Sequence, residues 1–365
     1  MPASIPIVDS HIHLFAASHL PSLAWYGPDG PLGSQHSVDE YSHATSSVSN
    51  DTTTSKDVYL RGFIFLETDR LSSVSTEGSE SFPGWKHALD EVAYLARIAR
   101  GEPFQGEGHS SSDKDLCLGI VAWAPVPGGL EALSAYMALV KERTKSPEVW
   151  RKVRGVRYLF QDKPAGTMTA PDTVQGLRWL GQQGLTFDLG VDARQRGLDQ
   201  LREAVTMMEQ VYSGAKEDES VTIVINHLCK PNLRLPPDTI ATHSDFLEWK
   251  DLITQMAQIS DRTYMKLSGA FSELPSLSAT TDLDLPGLVD YLQPWTDVIF
   301  NSFGTERIMF GSDWPVCNIG GGGNDVSWNR WQRVVEGILD RRGLTEEQKR
   351  GIWGQVALKA YGADI

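Results

Sequence analysis

The feature that most constrains this chain is an alternation repeated eight times. A short apolar, β-branched run gives way each time to a longer stretch with helical periodicity. The runs are Ile5–Val8 leading into Asp9-Ser10-His11-Ile12-His13, then Val58–Leu66, Leu116–Trp123, Val153–Phe160, Leu185–Leu189, Val221–Asn226, Thr263–Leu267 and Arg307–Gly311. Apolar residues recur at a period near 3.6 in Trp85–Arg100, Leu130–Arg143, Thr173–Gln182, Gln195–Val211, Ser244–Ile259, Leu285–Phe303, Trp328–Leu339 and Thr345–Tyr361. Strand alternating with helix implies parallel pairing through right-handed crossovers. Eight such units predict an α/β fold closed into a (β/α)8 TIM barrel, because an open sheet has no reason to stop at eight. Thr345-Glu346-Glu347-Gln348 predicts a capped start for the last helix.

Three polar, Gly- or Ser-rich stretches break the rhythm: Ala16–Asp57, Asp69–Pro83 and Gly101–Asp115. Each falls after a strand or between a helix and the next strand. They read as long loops inserted in a single domain spanning residues 1–365. Loops of this length serve as active-site lids or as mobile surface. A lid is expected around Trp25-Tyr26, and mobility in the Ser/Thr run Ser42–Ser55. Gly320–Gly323 reads as a flexible loop, since no Lys-Ser/Thr follows to make a phosphate cradle.

A net charge of −14 argues against nucleic acid or an anionic membrane as partner, and leaves a small molecule. No apolar run approaches the ~20 residues of a membrane span, and the first residues lack the features of a signal peptide. Cys117, Cys229 and Cys317 are odd in number and far apart, so buried, reduced thiols in a cytoplasmic setting are expected.

The polar groups fall where a barrel would use them, at the C-terminal ends of strands. The first strand ends in His11 and His13, the second in Glu67, the sixth in Asn226-His227 and the eighth in Asp313-Trp314; the fourth carries Arg157. Burying such groups without a function costs several kcal/mol unless each is paired. His11 and His13, about 7 Å apart at Cα if the strand continues, share a face and can grip one metal ion or one substrate oxygen. By strand parity Asp9, His11 and His13 continue the face of Ile5 and Ile7, His227 that of Ile223 and Ile225, and Asp313 that of Met309 and Gly311. Closing the barrel sets Asp313 beside His11 and His13. Lys230 and Lys266 are open between site cations and surface caps. Trp25, Trp123 and Trp314 offer flat faces on which a sugar can stack, although most of the 11 tryptophans must be core.

Asp9-Ser10-His11-Ile12-His13 and Gly311-Ser312-Asp313-Trp314-Pro315 resemble the amidohydrolase superfamily. Arg154-Gly155-Val156-Arg157, Asn226-His227-Leu228-Cys229-Lys230-Pro231 and Lys266-Leu267-Ser268-Gly269 are similar to its sugar-lactone hydrolase branch, which includes L-rhamnono- and L-fucono-lactonases. The ordered set spans nearly the whole chain. That branch usually has glycine where Cys229 stands. No histidine ends the fifth strand and no bridging lysine the fourth, so a binuclear centre is not expected.

The resemblance implies an enzyme of carbohydrate catabolism that opens the ring ester of an aldonic-acid lactone, such as L-rhamnono-1,4-lactone. It implies one divalent ion on His11, His13 and Asp313, with His227 or Glu67, and zinc suits those ligands. Asp313 is the expected general base. Arg157 and His227 are expected to stabilise the oxyanion, and Arg157, Trp314 and Trp25 to bind substrate. A metal-free version, in which Asp313 alone activates water, stays open. So do decarboxylation of an aromatic or muconate-type acid on the same scaffold, a non-catalytic sugar-acid binder, and a homo-oligomer.

Overall fold

The computed structural model describes residues 4–46, 58–74, 83–216, 219–280 and 282–364. The strands are β1 Ile5–Ile12, β2 Val58–Leu66, β3 Cys117–Trp123, β4 Val153–Leu159, β5 Thr186–Gly190, β6 Thr222–Ile225, β7 Thr263–Leu267 and β8 Ile308–Phe310. They form one sheet in chain order, each parallel to the next. The helices that follow them are α1 Val38–Thr45, α2 Lys86–Arg100, α3 Gly129–Thr144, α4 Pro171–Gln182, α5 Asp199–Tyr212, α6 Ser244–Ile259, α7 Leu285–Phe303 and α8 Ser327–Arg341. All eight expected strands are present, at bounds within about one residue of those read from the sequence.

The ring closes beyond the regular strands. Ile12 bridges Trp314 in parallel. Asp313 N–H donates to the His11 carbonyl (2.9 Å) and His13 N–H to that of Trp314 (2.8 Å). Below this seam the Ser10 hydroxyl donates to the Phe310 carbonyl at 2.6 Å. The barrel is thus complete, and its last hydrogen bonds belong to the histidine and aspartate motifs themselves.

Asp9 holds the seam from the helix side. Its carboxylate is fully buried and accepts from the Ser312 amide at 2.8 Å, the Tyr41 hydroxyl of α1 at 2.9 Å and the Trp328 indole of α8 at 2.8 Å. Burial raises its pKa, and these donors work against that rise. One carboxylate therefore ties both end strands to the two helices that cover them. Asn324 and Asn329 add bonds to the Glu40 and Ala44 carbonyls of α1 (3.1 and 3.0 Å).

Two apolar layers follow from strand alternation. Ile5, Ile7, Phe63, Ile223 and Ile225 join the core between sheet and helices. Val8, Ile64, Leu66, Val224 and Met309 pack with Val356, Ala357, Ala360 and Tyr361 of a short final helix, α9 Val356–Tyr361. That helix plugs the barrel from the N-terminal end, where Gly354 lies against the Pro6 backbone. The chain reaches it through the expected cap, in which Thr345 Oγ accepts from the Gln348 amide (3.3 Å) while Gln348 Oε1 accepts from that of Thr345 (3.0 Å). A π-helical turn at Gly351–Gln355 interrupts what the sequence reads as one helix. Gly197 likewise splits the helix expected over Gln195–Val211, leaving Ala193–Arg196 apart from α5.

Within Ala16–Asp57, α1 is a true barrel helix that the Ser/Thr-rich sequence conceals. Of the Ser42–Ser55 run, residues 47–55 lie outside the described residues. The glycine run corrects another expectation. A Cβ on Gly320 would fall 1.8 Å from the Phe271 carbonyl oxygen, and one on Gly321 would meet Phe271 and Ser327. Gly320–Gly322 is close packing rather than a flexible loop, and only at Gly323 is there open space for a side chain. The three cysteines are free and buried, as expected. Among the described residues no helix is long and apolar enough to cross a membrane.

Replacing Asp9 with Ala strands three buried donors at once, and unmet buried groups cost about 1–3 kcal/mol each. We expect D9A to lose roughly 3–5 kcal/mol of stability in urea denaturation. A loss below about 1 kcal/mol would show that the seam does not depend on this carboxylate.

Candidate active site

Three imidazoles surround one carboxylate oxygen at the C-terminal mouth of the barrel. Asp313 Oδ1 lies 3.5 Å from His11 Nε2, 3.6 Å from His13 Nε2 and 3.6 Å from His227 Nε2. His11 and His13 approach each other at 3.2 Å through their Nε2 atoms. All four residues are buried.

Local backbone distortions produce this convergence, and they overturn part of the parity argument. Asp9 does face the helices with Ile5 and Ile7, but an irregularity between Asp9 and Ile12 resets the alternation and sends His11 inward. His227 does not continue the face of Ile223 and Ile225. It opens a left-handed turn with φ of 55°, which swings its ring in to meet Asp313 from the opposite side. Gly269, itself at φ 69°, makes room for that ring, since a Cβ there would sit 2.5 Å from His227 Nδ1. Asp313 holds φ 61° and keeps the inward face of Met309, as parity expects. Left-handed non-glycine residues are uncommon and concentrate at functional sites.

Each imidazole is steadied by its other nitrogen. His13 Nδ1 meets the Leu66 carbonyl at 3.0 Å, so it carries the proton and leaves Nε2 with a lone pair. His227 Nδ1 meets the Ser268 hydroxyl at 2.8 Å. His11 Nδ1 faces Lys266 Nζ at 3.2 Å. An ammonium only donates, so this contact makes Nδ1 the acceptor and places the His11 proton on Nε2. Burial, then the Lys266 charge, hold His11 well below the usual histidine pKa, and burial takes His227 down to about 3. Burial pushes Asp313 up, yet His227 and His13 more than offset it, and its pKa lies below the ordinary aspartate value. Burial thus disfavours the charged forms of His11 and His227, while the Asp313 carboxylate is held in its ionised form.

That is the donor set a divalent cation takes. The ligand atoms of His11, His227 and Asp313 lie within 4.8 Å of one another. Four of the six separations among the four ligand atoms, 3.2–3.6 Å, are near the edge of a tetrahedron with zinc bonds, roughly 3.4 Å. His13 and Asp313 can offer lone pairs as they stand, and His227 does so when its proton lies on Nδ1 toward the Ser268 hydroxyl. His11 joins if its proton moves to Nδ1 and Lys266 gives one up, which the lowering of Lys266 to about 8 by burial favours.

Glu67 departs from the expected metal ligands. Its Oε1 accepts from Arg157 Nε at 2.6 Å and its Oε2 from the Asp69 amide at 2.6 Å. Both oxygens are committed, and Glu67 braces Arg157 instead. Arg157 is buried and borders the cavity. Trp314 is a second correction: its side chain is fully buried, packs on Tyr41 and His36, and donates to Asn324 at 2.8 Å, so it offers no face to a sugar. Trp123 is also core, against Tyr136 and Tyr158. Trp25 does line the cavity, 40% exposed and anchored by its indole to the Thr68 carbonyl at 2.9 Å.

The cavity above the cluster measures about 550 Å³, within the range of small-molecule sites. His13, Arg157, Asn226, His227, Lys230 and Asp313 form its floor and one side. Trp25 and the Gly30–Gly33 turn of the first long loop cover another. The floor below rests on Asp188, which sequence reasoning missed. Asp188 pairs with Lys266 at 2.6 Å and accepts from the Tyr361 hydroxyl of α9 at 2.9 Å. A signal for it exists in the sequence: a lone carboxylate at the centre of the apolar run Leu185–Leu189 needs a buried partner.

A family model described as Amidohydrolase matches residues 123–363. The chain is 35% identical to the L-rhamnono-gamma-lactonase of Scheffersomyces stipitis over 97% of its own length and 98% of that protein. It is 25% identical to the L-fucono-1,5-lactonase of Burkholderia multivorans over 58% of this chain and 64% of that one. Among solved structures, an amidohydrolase from B. multivorans with bound Zn superposes with a TM-score of 0.66 at 22% identity, covering 98% and 99% of the two chains.

Removing one member of a buried ion pair typically costs 3–5 kcal/mol, whereas replacing both with apolar groups costs far less. We expect K266M to lose roughly that much stability and the D188L/K266M double variant to recover at least half of it. Additive losses in a double-mutant cycle would contradict this.

Proposed function

Because this chain belongs to the amidohydrolase family, we propose that it hydrolyses the ring ester of an aldonic-acid lactone, of which L-rhamnono-1,4-lactone is the leading candidate. The observation that carries the reading is the ionised, buried Asp313 ringed by three imidazoles at the floor of a cavity sized for a sugar. The likeness to a lactonase along nearly the whole chain supports the substrate class, and favours hydrolysis over decarboxylation or binding alone.

Asp313 takes a proton from water as the water oxygen adds to the lactone carbonyl carbon. It returns that proton to the ring oxygen as the carbon–oxygen bond breaks, leaving a free hydroxyl and a carboxylic acid, which then loses its own proton to solvent. Arg157, fixed along one edge by Glu67, turns its remaining donors to the carbonyl oxygen where charge develops. His11, with its proton on Nε2, donates to His13 Nε2 and stands 3.5 Å from Asp313 Oδ1, so it positions both. Trp25 gives the sugar a flat wall.

We assign one divalent ion, zinc by ligand type, to the cluster of His11, His227 and Asp313, whose ligand atoms lie within 4.8 Å of one another, with His13 beside them. Bound there, it would supply Lewis acidity, making a nearby water more acidic and the carbonyl more electrophilic.

On a panel of aldono-lactones, D313N should lose at least about 10³-fold in kcat/KM with its fold intact by circular dichroism; near-wild-type turnover would sink the general-base role. Elemental analysis should find one zinc per chain, and chelation should remove metal and activity together. A metal-free chain that retains full activity would take the ion out of the reaction and leave Asp313 to act alone.

A further inference from the structure

The turn that delivers His227 carries two more polar groups that the mechanism does not use. His227, Leu228, Cys229 and Lys230 all hold left-handed backbones, at φ 55°, 54°, 60° and 48°. None is glycine, and each such residue is disfavoured for an L-amino acid. The turn persists because its polar backbone groups are well matched. Cys229 N–H donates to the Asn226 carbonyl at 2.9 Å and Lys230 N–H to that of His227 at 2.7 Å. The Trp249 indole donates to the Leu228 carbonyl at 2.9 Å, and Arg194 N–H to that of Lys230 at 3.0 Å. The result is that Asn226, His227 and Lys230 all border one wall of the cavity.

Asn226 is 1% exposed, and neither its Nδ2 nor its Oδ1 has a hydrogen-bond partner among the described residues. Buried side-chain amides are nearly always matched, so one left open on both sides calls for a ligand. Lys230 Nζ donates to Gln161 Oε1 at 3.2 Å and stands 4.0 Å from Asp192. The Asp192 carboxylate is already engaged in capping through the Gln195 amide at 2.7 Å. An ammonium has three protons to give, so Lys230 keeps donors in reserve. One wall beside the reacting centre therefore offers an acceptor and a donor from an amide, and further donors from a cation. Adjacent hydroxyl groups of a polyol, each both donor and acceptor, complement that pattern.

We propose that Asn226 and Lys230 form the subsite that reads the hydroxyl groups of the substrate, and so set the preference for a hydroxylated lactone over a plain one. This rests on the lactonase reading of the same cavity. Asn226 Oδ1 accepts from one hydroxyl, while Asn226 Nδ2 and Lys230 Nζ donate to the oxygens of that hydroxyl's neighbours. A lactone without hydroxyls leaves the buried amide unmatched, which is how sites built for hydroxyl groups reject analogues that lack them.

The test compares kcat/KM on a polyhydroxylated aldono-1,4-lactone and on unsubstituted γ-butyrolactone for the wild type, N226L and K230M, with thermal melting of each. The wild type should favour the hydroxylated lactone by on the order of 10²-fold or more. In N226L that ratio should fall by roughly 10–100-fold, while Tm stays level or rises, because a leucine of similar size removes two unmatched polar atoms. In K230M the ratio should fall less, mainly through KM. A wild-type ratio retained in both variants overturns the subsite, and so does an equal loss on both lactones with a lowered Tm in N226L. A wild type inactive on every lactone removes the lactonase reading and this inference with it, whereas an active wild type with unchanged variant ratios removes this inference alone.

Discussion

Everything at the mouth of this barrel depends on joining the first strand to the last. Hydrogen bonds from Asp313 to His11 and from His13 to Trp314 both close the ring and set the histidines against the aspartate. A strand pair separated by about 300 residues carries a large loop-closure cost, which intervening structure must remove first. Here seven parallel pairings in chain order bring the ends to within hydrogen-bonding distance. Asp9 then locks the join by gathering donors from Ser312, Tyr41 and Trp328. Stability and chemistry are built from adjacent residues of one motif, with Asp9 turned to the helices and His11 turned to the cavity.

Electrostatics at the site follow from that enclosure. Burial disfavours the charged forms of His11 and His227, while His227 and His13 beside it keep the Asp313 carboxylate ionised. The same enclosure demands that every other charge be matched. Arg157 is matched by Glu67 and Lys266 by Asp188. These pairs fix where the cations stand, and leave the Arg157 edge nearest the cavity open to substrate.

Much of this is legible in the sequence, and the reasons for success and failure are physical. Eight apolar runs alternating with helical periodicity determine a closed parallel barrel, and strand-end polar groups mark its mouth. His11, His13, His227 and Asp313 are readable because a titratable group at the end of an apolar strand is costly to bury without a task. Their orientation is not readable, because an irregularity after Asp9 and a left-handed turn at His227 each break the period-two rule on which parity rests. Glu67 and Trp314 are misplaced for a related reason: sequence neighbours of a cavity residue point away from it as often as toward it. Trp314 is one of the eight tryptophans, out of 11, that are buried. Asp188 escapes notice because it sits mid-strand, where its partners Lys266 and Tyr361 come from elements far along the chain.

The plug helix α9 makes the site depend on a segment that lies beyond all four clustered residues in the chain. Tyr361 reaches through the barrel to Asp188, Asp188 holds Lys266, and Lys266 abuts His11. The floor of the site thus includes a residue that follows all four members of the cluster in the chain. A nascent chain that has already emerged with all four of the clustered residues still lacks the support that sets the His11 proton. Loss of Tyr361 alone would leave Asp188 and the lysine it holds without their hydroxyl partner, beneath a cluster otherwise intact in sequence.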